Sequence, residues 1–152
     1  MTPKTAQKQV IGGSNAEGLP ISLAVKFGDL VFVSGTVGFD AQDRLVPGGV
    51  GAETRQIFRN IEKVLAAAGC KLADILKVNV VLADAGDFDD FNAVYRTIFP
   101  AQPPARVTMV ASLTIDARLE IDVVAGVGAG GPAGQGSRAG PRRPRARGAS
   151  PR

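Results

Sequence analysis

The sequence contains no histidine, no tryptophan and a single cysteine, Cys70. Without an imidazole, the chain cannot build a serine–histidine–aspartate triad or a histidine-based zinc site. One cysteine can form neither an internal disulfide nor a thiolate zinc site, and it suits a reducing cytoplasm, where we expect the protein to reside. Acid–base chemistry must therefore come from carboxylates, lysines, the lone Tyr95, backbone groups or water.

Long apolar runs are also missing. No run approaches the ~18 residues that a membrane span needs, and residues 1–8 lack the apolar stretch of a secretory signal. Hydrophobic residues nevertheless make up 45% of the 152 residues, and a chain of this size can bury a core without disulfides or a metal. We therefore expect one globular domain and no membrane partner.

The formal net charge of +4 comes from one end of the chain. All 14 acidic residues lie at or before Asp122, whereas six of the 18 basic residues are arginines beyond position 128, which leaves 12 basic residues against 14 acidic ones before it. Residues 128–152 contain only Gly, Ala, Pro, Arg and Ser with one Gln, which predicts a disordered tail. We expect no nucleic-acid partner, except through non-specific phosphate affinity of that tail.

Apolar periodicity predicts the order ββ-α-β-α-ββ, a mixed α+β domain with both helices on one face of the sheet. The predicted helices cover 52–68 and 88–99, with Gly69 ending the first and Asp87 capping the second. The predicted strands cover 22–27, 30–35, 75–83, 106–113 and 118–127. The first two strands read as a hairpin, and so do the last two.

The run 75–83 (ILKVNVVLA) is almost continuously apolar, which is typical of a central strand covered on both faces. We divide the chain into an N-terminal segment with a first short strand, the domain and the tail, at 1–17, 18–127 and 128–152.

Five short strings, each weak alone, occur together in one order along the domain. They are Val33-Ser34-Gly35, Asn60 followed by Ala66-Ala67-Ala68-Gly69, Asp87-Phe88 followed by Asn92-Ala93-Val94-Tyr95, Pro104-Ala105-Arg106, and Leu119-Glu120-Ile121-Asp122. In this order the sequence resembles the Rid family, the YjgF-like reactive-intermediate deaminases, over residues 18–127. The resemblance implies a chorismate-mutase-like fold and a homotrimer with clefts between subunits. It also implies hydrolysis of imines and enamines such as 2-aminoacrylate to keto acids and ammonia, without cofactor or metal.

Arg106 and Glu120 are the candidate catalytic residues. Arg106 opens a strand after Pro103-Pro104, and its planar guanidinium can hold a substrate carboxylate through two parallel hydrogen bonds. Glu120 alternates with apolar neighbours, and the family uses a glutamate at this position to activate the attacking water. The structural alternatives are a surface ion pair for Arg106 and a solvated charge for Glu120, with Asp122 beside it as a structural residue.

Arg106 and Glu120 must also face the same way if one chain supplies both. If strands 106–113 and 118–127 form a hairpin, the numbers of any two residues opposite each other add up to the same total. Because side chains alternate between the two faces, an even total puts Arg106 and Glu120 on the same face. An odd sum puts them on opposite faces, and a shared site then needs a neighbouring subunit.

The remaining candidates would bind the substrate. The resemblance implies that Ser34 and Gly35 line the cleft, with glycine allowing close approach of the backbone, and that Asn92 lies near Arg106. Packing or capping is the alternative for each of them.

Four positions depart from the family pattern. Ile21 and Leu23 stand where many members have tyrosine and glutamine, Thr36 replaces the glutamine after Ser-Gly, and Val107 follows Arg106 where small polar residues are common. We expect Ile21 and Val107 to give the substrate pocket a more apolar wall.

Four functions stay open at this point. The first is an enamine/imine deaminase, and the second is a deaminase for a larger ring-fission product such as 2-aminomuconate. The third is a ligand-binding or regulatory trimer without chemistry, and the fourth is RNA cleavage, against which the acidic domain and the missing histidine argue.

Overall fold

The structure, a computed structural model, describes residues 5–13 and 18–132. Six strands form one sheet: β1 (Gln9–Ile11), β2 (Ala24–Phe27), β3 (Leu30–Thr36), β4 (Ile75–Leu82), β5 (Ala105–Val110) and β6 (Leu119–Gly126). The helices are α1 (Gly49–Ala67) and α2 (Phe88–Ile98). The predicted α+β class, the order ββ-α-β-α-ββ after β1 and the hairpin β2–β3 are confirmed. β1 pairs with β2 at the start of the sheet.

The spatial order of the strands is β1-β2-β3-β6-β4-β5. β6 lies antiparallel between β3 and β4, while β5 runs parallel to β4 at the edge. The predicted hairpin of the last two strands is therefore wrong, because β4 separates β5 from β6. The link between them crosses an intervening strand, and local alternation alone cannot reveal that.

Both helices cover one face of the sheet. Apolar side chains of α1 and α2 pack on alternate residues of β3, β4 and β6, and the fully buried members include Ile57, Ile61, Leu65, Phe91, Val78, Val80, Leu119, Ile121 and Val123. The prediction that β4 is covered on both faces is wrong for the single chain. Val78, Val80 and Leu82 are buried, whereas Lys77, Asn79 and Val81 are only partly so.

On the other sheet face, no helix of residues 5–13 and 18–132 lies over the strands. Pairing places five apolar side chains there that are between 41% and 53% exposed: Phe27, Leu30, Phe32, Val107 and Met109. They form two groups, one on β2 and β3 and one on β5, separated by β6 and β4, whose open-face residues include Asp122 and Asn79. Exposed groups of large apolar side chains are typical of protein contacts.

The end of α1 and the start of α2 lie where the sequence predicts them, whereas α1 begins at Gly49, three residues before the expected start. Gly69 has φ of +81°, and Cys70 donates its backbone N–H to the carbonyl of Leu65 at 2.8 Å, which closes α1. Asp87 precedes α2 as expected, but its side chain makes no capping bond. Its carboxylate instead pairs with the Arg118 guanidinium at 3.2 Å.

The domain continues past the boundary expected at 127. Gly130 donates its backbone N–H to the buried Asp74 carboxylate at 2.7 Å, and Lys71 Nζ reaches the Gly131 carbonyl at 3.3 Å. Residues 128–132 thus belong to the fold and not to the tail. The rest of the predicted tail, 133–152, lies outside the described residues.

Within 5–13 and 18–132, neither helix combines the length and the apolarity that crossing a membrane requires.

Candidate active site

Glu120 lies in β6 against a bulge in β3. Val33 pairs with Val123 and Thr36 with Ile121, so β3 carries one residue more than β6 at Ser34–Gly35. The Glu120 side chain lies directly over Gly35, and a Cβ at Gly35 would stand 2.9 Å from the Glu120 carboxyl carbon. Glycine lets the Glu120 carboxylate lie this close to the β3 backbone, and a larger residue at position 35 would push the carboxylate aside.

Ser34 ties the bulge to the segment before β2. Its hydroxyl donates to the carbonyl of Ser22 at 2.6 Å, and its backbone N–H donates to the carbonyl of Leu23 at 2.9 Å. Ile21, half exposed, lies next to Ser22 in this segment. We call Glu120, Gly35, Ser34 and Ile21 the glutamate half-site.

Arg106 lies in β5 on the helix-covered face, against the aromatic face of α2. Its guanidinium carbon is 4.6 Å from the ring centre of Tyr95, 5.2 Å from that of Phe91 and 6.0 Å from that of Phe88. The ion pairs among the described residues are Arg44–Asp40 and Arg118–Asp87, so Arg106 has no carboxylate partner there. We call Arg106 and these three rings the arginine half-site.

The two half-sites lie on opposite faces of the same sheet. In the β4 register Arg106 pairs with Val78, and Glu120 pairs with Val81. Side chains at β4 positions three residues apart point to opposite faces. One chain therefore cannot bring its own Arg106 and Glu120 to a single substrate.

Two further predicted site residues fall in different places. Asn92 lies half-buried in α2, one helical turn after Phe88, and makes no side-chain hydrogen bond within the described part of the chain. Val107 pairs with Asn79, which puts it on the open face and away from the Arg106 side chain. Asp122 also faces that side, where its carboxylate accepts a hydrogen bond from Asn79 Nδ2 at 2.8 Å.

Sequence reasoning missed two residues near Arg106. Thr108 is two residues further along β5 on the same face, and its buried hydroxyl has no partner among the described residues. Tyr95 belongs to the core, as predicted, but it also contacts Arg106 through its ring. Thr108 lies two residues after Arg106 in the strand, and Tyr95 lies four residues after Phe91 in the helix. These spacings put each pair on one face of its element, so they would have identified both residues if the search had started from Arg106 and Phe91.

Two depressions on the described part of the chain lie away from both half-sites. A depression of about 430 Å³ lies where α1 begins, between Gly48, Asp87, Asp90 and Arg118. A smaller one, about 250 Å³, lies between the end of α2 and Gly130. Neither is lined by Arg106 or Glu120.

Comparison with known proteins identifies the family. A family model described as "Endoribonuclease L-PSP" matches residues 17–127. The chain is 41% identical over 108 residues to a mouse protein named 2-iminobutanoate/2-iminopropanoate deaminase, covering 70% of this chain and 80% of that one. The human protein of that name is 38% identical over 122 residues, covering 78% and 89%.

Solved structures agree with the sequence relatives. The crystal structure of the YjgF gene product from E. coli is 34% identical with a TM-score of 0.70, covering 78% of this chain and 98% of that one. That of yeast Mmf1 is 33% identical with a TM-score of 0.73, covering 79% and 98%. Because the family model spans almost the whole domain and these relatives are matched over most of their length, the chain belongs to the YjgF/Rid family.

Proposed function

We propose that this protein hydrolyses reactive imines and enamines derived from amino acids, of the 2-aminoacrylate type, to a keto acid and ammonia. The names of the mouse and human relatives support this reaction class. The observation that carries the proposal within this chain is Arg106, a half-buried cation that lies against three aromatic rings and has no ion pair among the described residues. Such a cation has its in-plane donors available for the carboxylate of an amino-acid-derived substrate.

The chemistry needs one bound carboxylate and one activated water. Arg106 holds the substrate carboxylate, and Glu120 accepts a proton from water as the water oxygen bonds to the imine carbon. The resulting tetrahedral carbon carries both hydroxyl and amine. The nitrogen becomes this amine by taking up the proton that Glu120 accepted. A second proton then passes from the hydroxyl to the amine, and the carbon–nitrogen bond breaks as the carbon–oxygen double bond forms, which releases ammonia and leaves the keto acid.

The same proposal requires a second copy of the chain. Since Arg106 and Glu120 face opposite sides, the arginine half-site of one subunit must meet the glutamate half-site of another. A homotrimer with three such clefts would also cover the exposed apolar side chains of the open face, for example Phe32 and Met109. Light scattering should give three times the chain mass of 15.7 kDa.

Mixing two inactive variants tests the shared cleft. Arg106→Ala subunits keep the glutamate half-site, and Glu120→Gln subunits keep the arginine half-site. Random co-refolding at equal amounts should restore about a quarter of wild-type ammonia release, because each cleft draws one partner from each pool with even odds. The substrate is 2-iminopropanoate generated freshly in the assay, and each variant refolded alone is the control.

Three other results would change the assignment. No recovery on mixing, with both variants folded and trimeric, would contradict a cleft shared between subunits. Wild-type protein that binds pyruvate but releases no ammonia from the imine would favour the non-catalytic ligand-binding trimer. Turnover of 2-aminomuconate but not of 2-iminopropanoate would favour the larger substrate, which the apolar Ile21 would help to accept.

A further inference from the structure

Arg106 is held in place by aromatic side chains and not by a carboxylate. Three rings of α2, those of Phe88, Phe91 and Tyr95, lie between 4.6 and 6.0 Å from its guanidinium carbon. We propose that Tyr95, supported by Phe88 and Phe91, is a positioning residue that fixes the Arg106 guanidinium for the substrate carboxylate. This inference rests on the proposed function and adds to it the residues that make Arg106 effective.

An aromatic support leaves the charge of Arg106 available. A carboxylate neighbour would occupy the in-plane N–H donors and neutralise the cation, so it would compete with the substrate. A ring attracts the cation through its π face and occupies no N–H donor. The guanidinium can therefore be held in one orientation and still present two parallel donors to a ligand.

Tyr95 is the ring nearest to the Arg106 guanidinium, and other rings pack around it. It is 6% exposed, and its ring centre lies 4.8 Å from that of Phe99, 5.4 Å from that of Phe91 and 5.9 Å from that of Phe58. Contacts from both helices thus fix the ring that is closest to Arg106. Phe88 differs, because it is 42% exposed and covers the guanidinium at the surface.

The hydroxyl of Tyr95 plays no part in the proposed positioning, which rests on the ring alone. It is buried and has no hydrogen-bond partner among the residues that the structure describes. Burial raises the pKa of Tyr95 to about 12, so the group stays neutral at any working pH. The positioning role assigned here belongs to the ring, which a change to phenylalanine preserves.

Variants at position 95 separate ring from hydroxyl. Tyr95→Leu should raise KM for 2-iminopropanoate and Kd for pyruvate by about 5- to 30-fold with kcat within about twofold, as expected for the loss of uniform binding. Tyr95→Phe should keep both constants within about twofold. Leu65→Ala, which removes a fully buried side chain of α1, is the control for lost core packing and should keep Kd for pyruvate within about twofold.

Phe88 gives a second test that does not depend on the core. Because the side chain is half exposed, Phe88→Leu should unfold at the wild-type temperature yet weaken pyruvate binding by about 2- to 5-fold. Phe88→Tyr should restore it. In NMR spectra the Arg106 Nε–H resonance, shifted upfield by the rings, should move downfield in Tyr95→Leu and Phe88→Leu but not in Tyr95→Phe.

The outcomes separate this inference from the proposed function. Weaker pyruvate binding in Arg106→Ala, Tyr95→Leu and Phe88→Leu supports it. Loss of binding in Arg106→Ala, with wild-type binding in both ring variants, overturns the positioning role alone. Wild-type pyruvate binding in Arg106→Ala overturns the proposed function. The NMR shifts of the Arg106 Nε–H then still test whether the rings hold the guanidinium, independently of any substrate.

Discussion

The two half-sites differ in how the protein holds its charged group. Arg106 is surrounded on one side by Phe88, Phe91 and Tyr95, and it faces the helices. Glu120 lies over the backbone of Gly35, on the sheet face that no helix covers. The cation is thus oriented by side chains, whereas the carboxylate is oriented by a strand irregularity and by the absence of a side chain.

From this difference we expect the arginine half-site to act in substrate binding and the glutamate half-site to act in the chemical step. A positioned guanidinium suits a carboxylate that is the same in substrate and product, so the arginine half-site should contribute binding to both. A carboxylate that accepts a proton from water acts in the transition state, so the glutamate half-site should contribute to rate. The predictions below test that division, beginning with the largest expected effect.

Glu120→Gln should lower kcat by about 10²- to 10⁴-fold, because an amide cannot accept the proton of the attacking water. The shape of the side chain is retained, so Kd for pyruvate should stay within about threefold. Ammonia release and isothermal titration measure the two effects. Parallel loss of pyruvate binding would show that Glu120 binds the ligand and would remove the contrast with Arg106.

Replacing Arg106 should act mainly on binding. Arg106→Ala and Arg106→Lys should each lower kcat/KM by roughly 30- to 1000-fold, since about 2–4 kcal/mol of a charge-assisted two-point contact is lost. Lysine should not rescue, because an ammonium offers a point charge and no planar pair of donors. A lysine variant with wild-type kcat/KM would mean that charge alone suffices.

Gly35→Ala should displace the Glu120 carboxylate and lower kcat by about 10- to 100-fold, because small misplacements of a reacting group are costly. The added Cβ would lie 2.9 Å from the Glu120 carboxyl carbon. Gly13→Ala is the matched control, as a Cβ there meets nothing within 4 Å. Equal activity of the two variants would show that Glu120 moves aside without consequence.

Truncation of the C-terminus should affect stability and neither half-site. Deleting 128–152 removes the Gly130 N–H from the buried Asp74 carboxylate and should lower the Tm by about 3–6 °C, on the order of 1–2 kcal/mol. Deleting 133–152 should leave the Tm unchanged, since that segment has no large apolar residue to pack. Calorimetry checks both, and equal Tm values for the two deletions would contradict a docked turn.

The sequence predicts local structure better than it predicts which strands are neighbours. Helices and strands followed from periodicity, and Gly69 marked the end of α1, because these depend on adjacent residues. The placement of β6 between β3 and β4 did not follow, because it depends on contacts between residues distant in the chain. The registers of β5 and β6 against β4, which also depend on distant residues, put Arg106 and Glu120 on opposite faces.

The candidate site shows the same limit. Ser34, Gly35 and Glu120 came from strings that resemble a family, and the structure brings these three together. The aromatic support of Arg106 by Tyr95 was not predicted, because a buried tyrosine at helical spacing is equally typical of a core. The docked Gly130 was missed because a Gly-rich composition gives no sign of a distant acceptor such as Asp74.

The smallest expected effect concerns Glu53, a carboxylate that serves as a control for Glu120. Glu53 is buried, and its Oε2 accepts the backbone N–H of Arg118 at 2.9 Å, just before β6 begins. Burial raises the pKa of Glu53 above its ordinary value of 4.5, and the hydrogen bond from Arg118 opposes this only in part. The folded state therefore binds more protons than the unfolded state just above pH 4.5, and Glu53 makes the free energy of unfolding fall as pH rises there.

Glu53→Gln removes this titration and keeps an oxygen that can accept the Arg118 N–H. Relative to wild type, the variant should thus become more stable as pH rises from 4.5 toward 7, as urea unfolding would measure. Its ammonia release should equal that of wild type, because Glu53 touches neither half-site. The same carboxylate-to-amide change should therefore alter only the pH dependence of stability at Glu53 and only the rate at Glu120. That result would show that the loss of rate in Glu120→Gln comes from the lost proton acceptor. Loss of rate in Glu53→Gln would instead mean that anchoring β6 at Arg118 sets the position of Glu120.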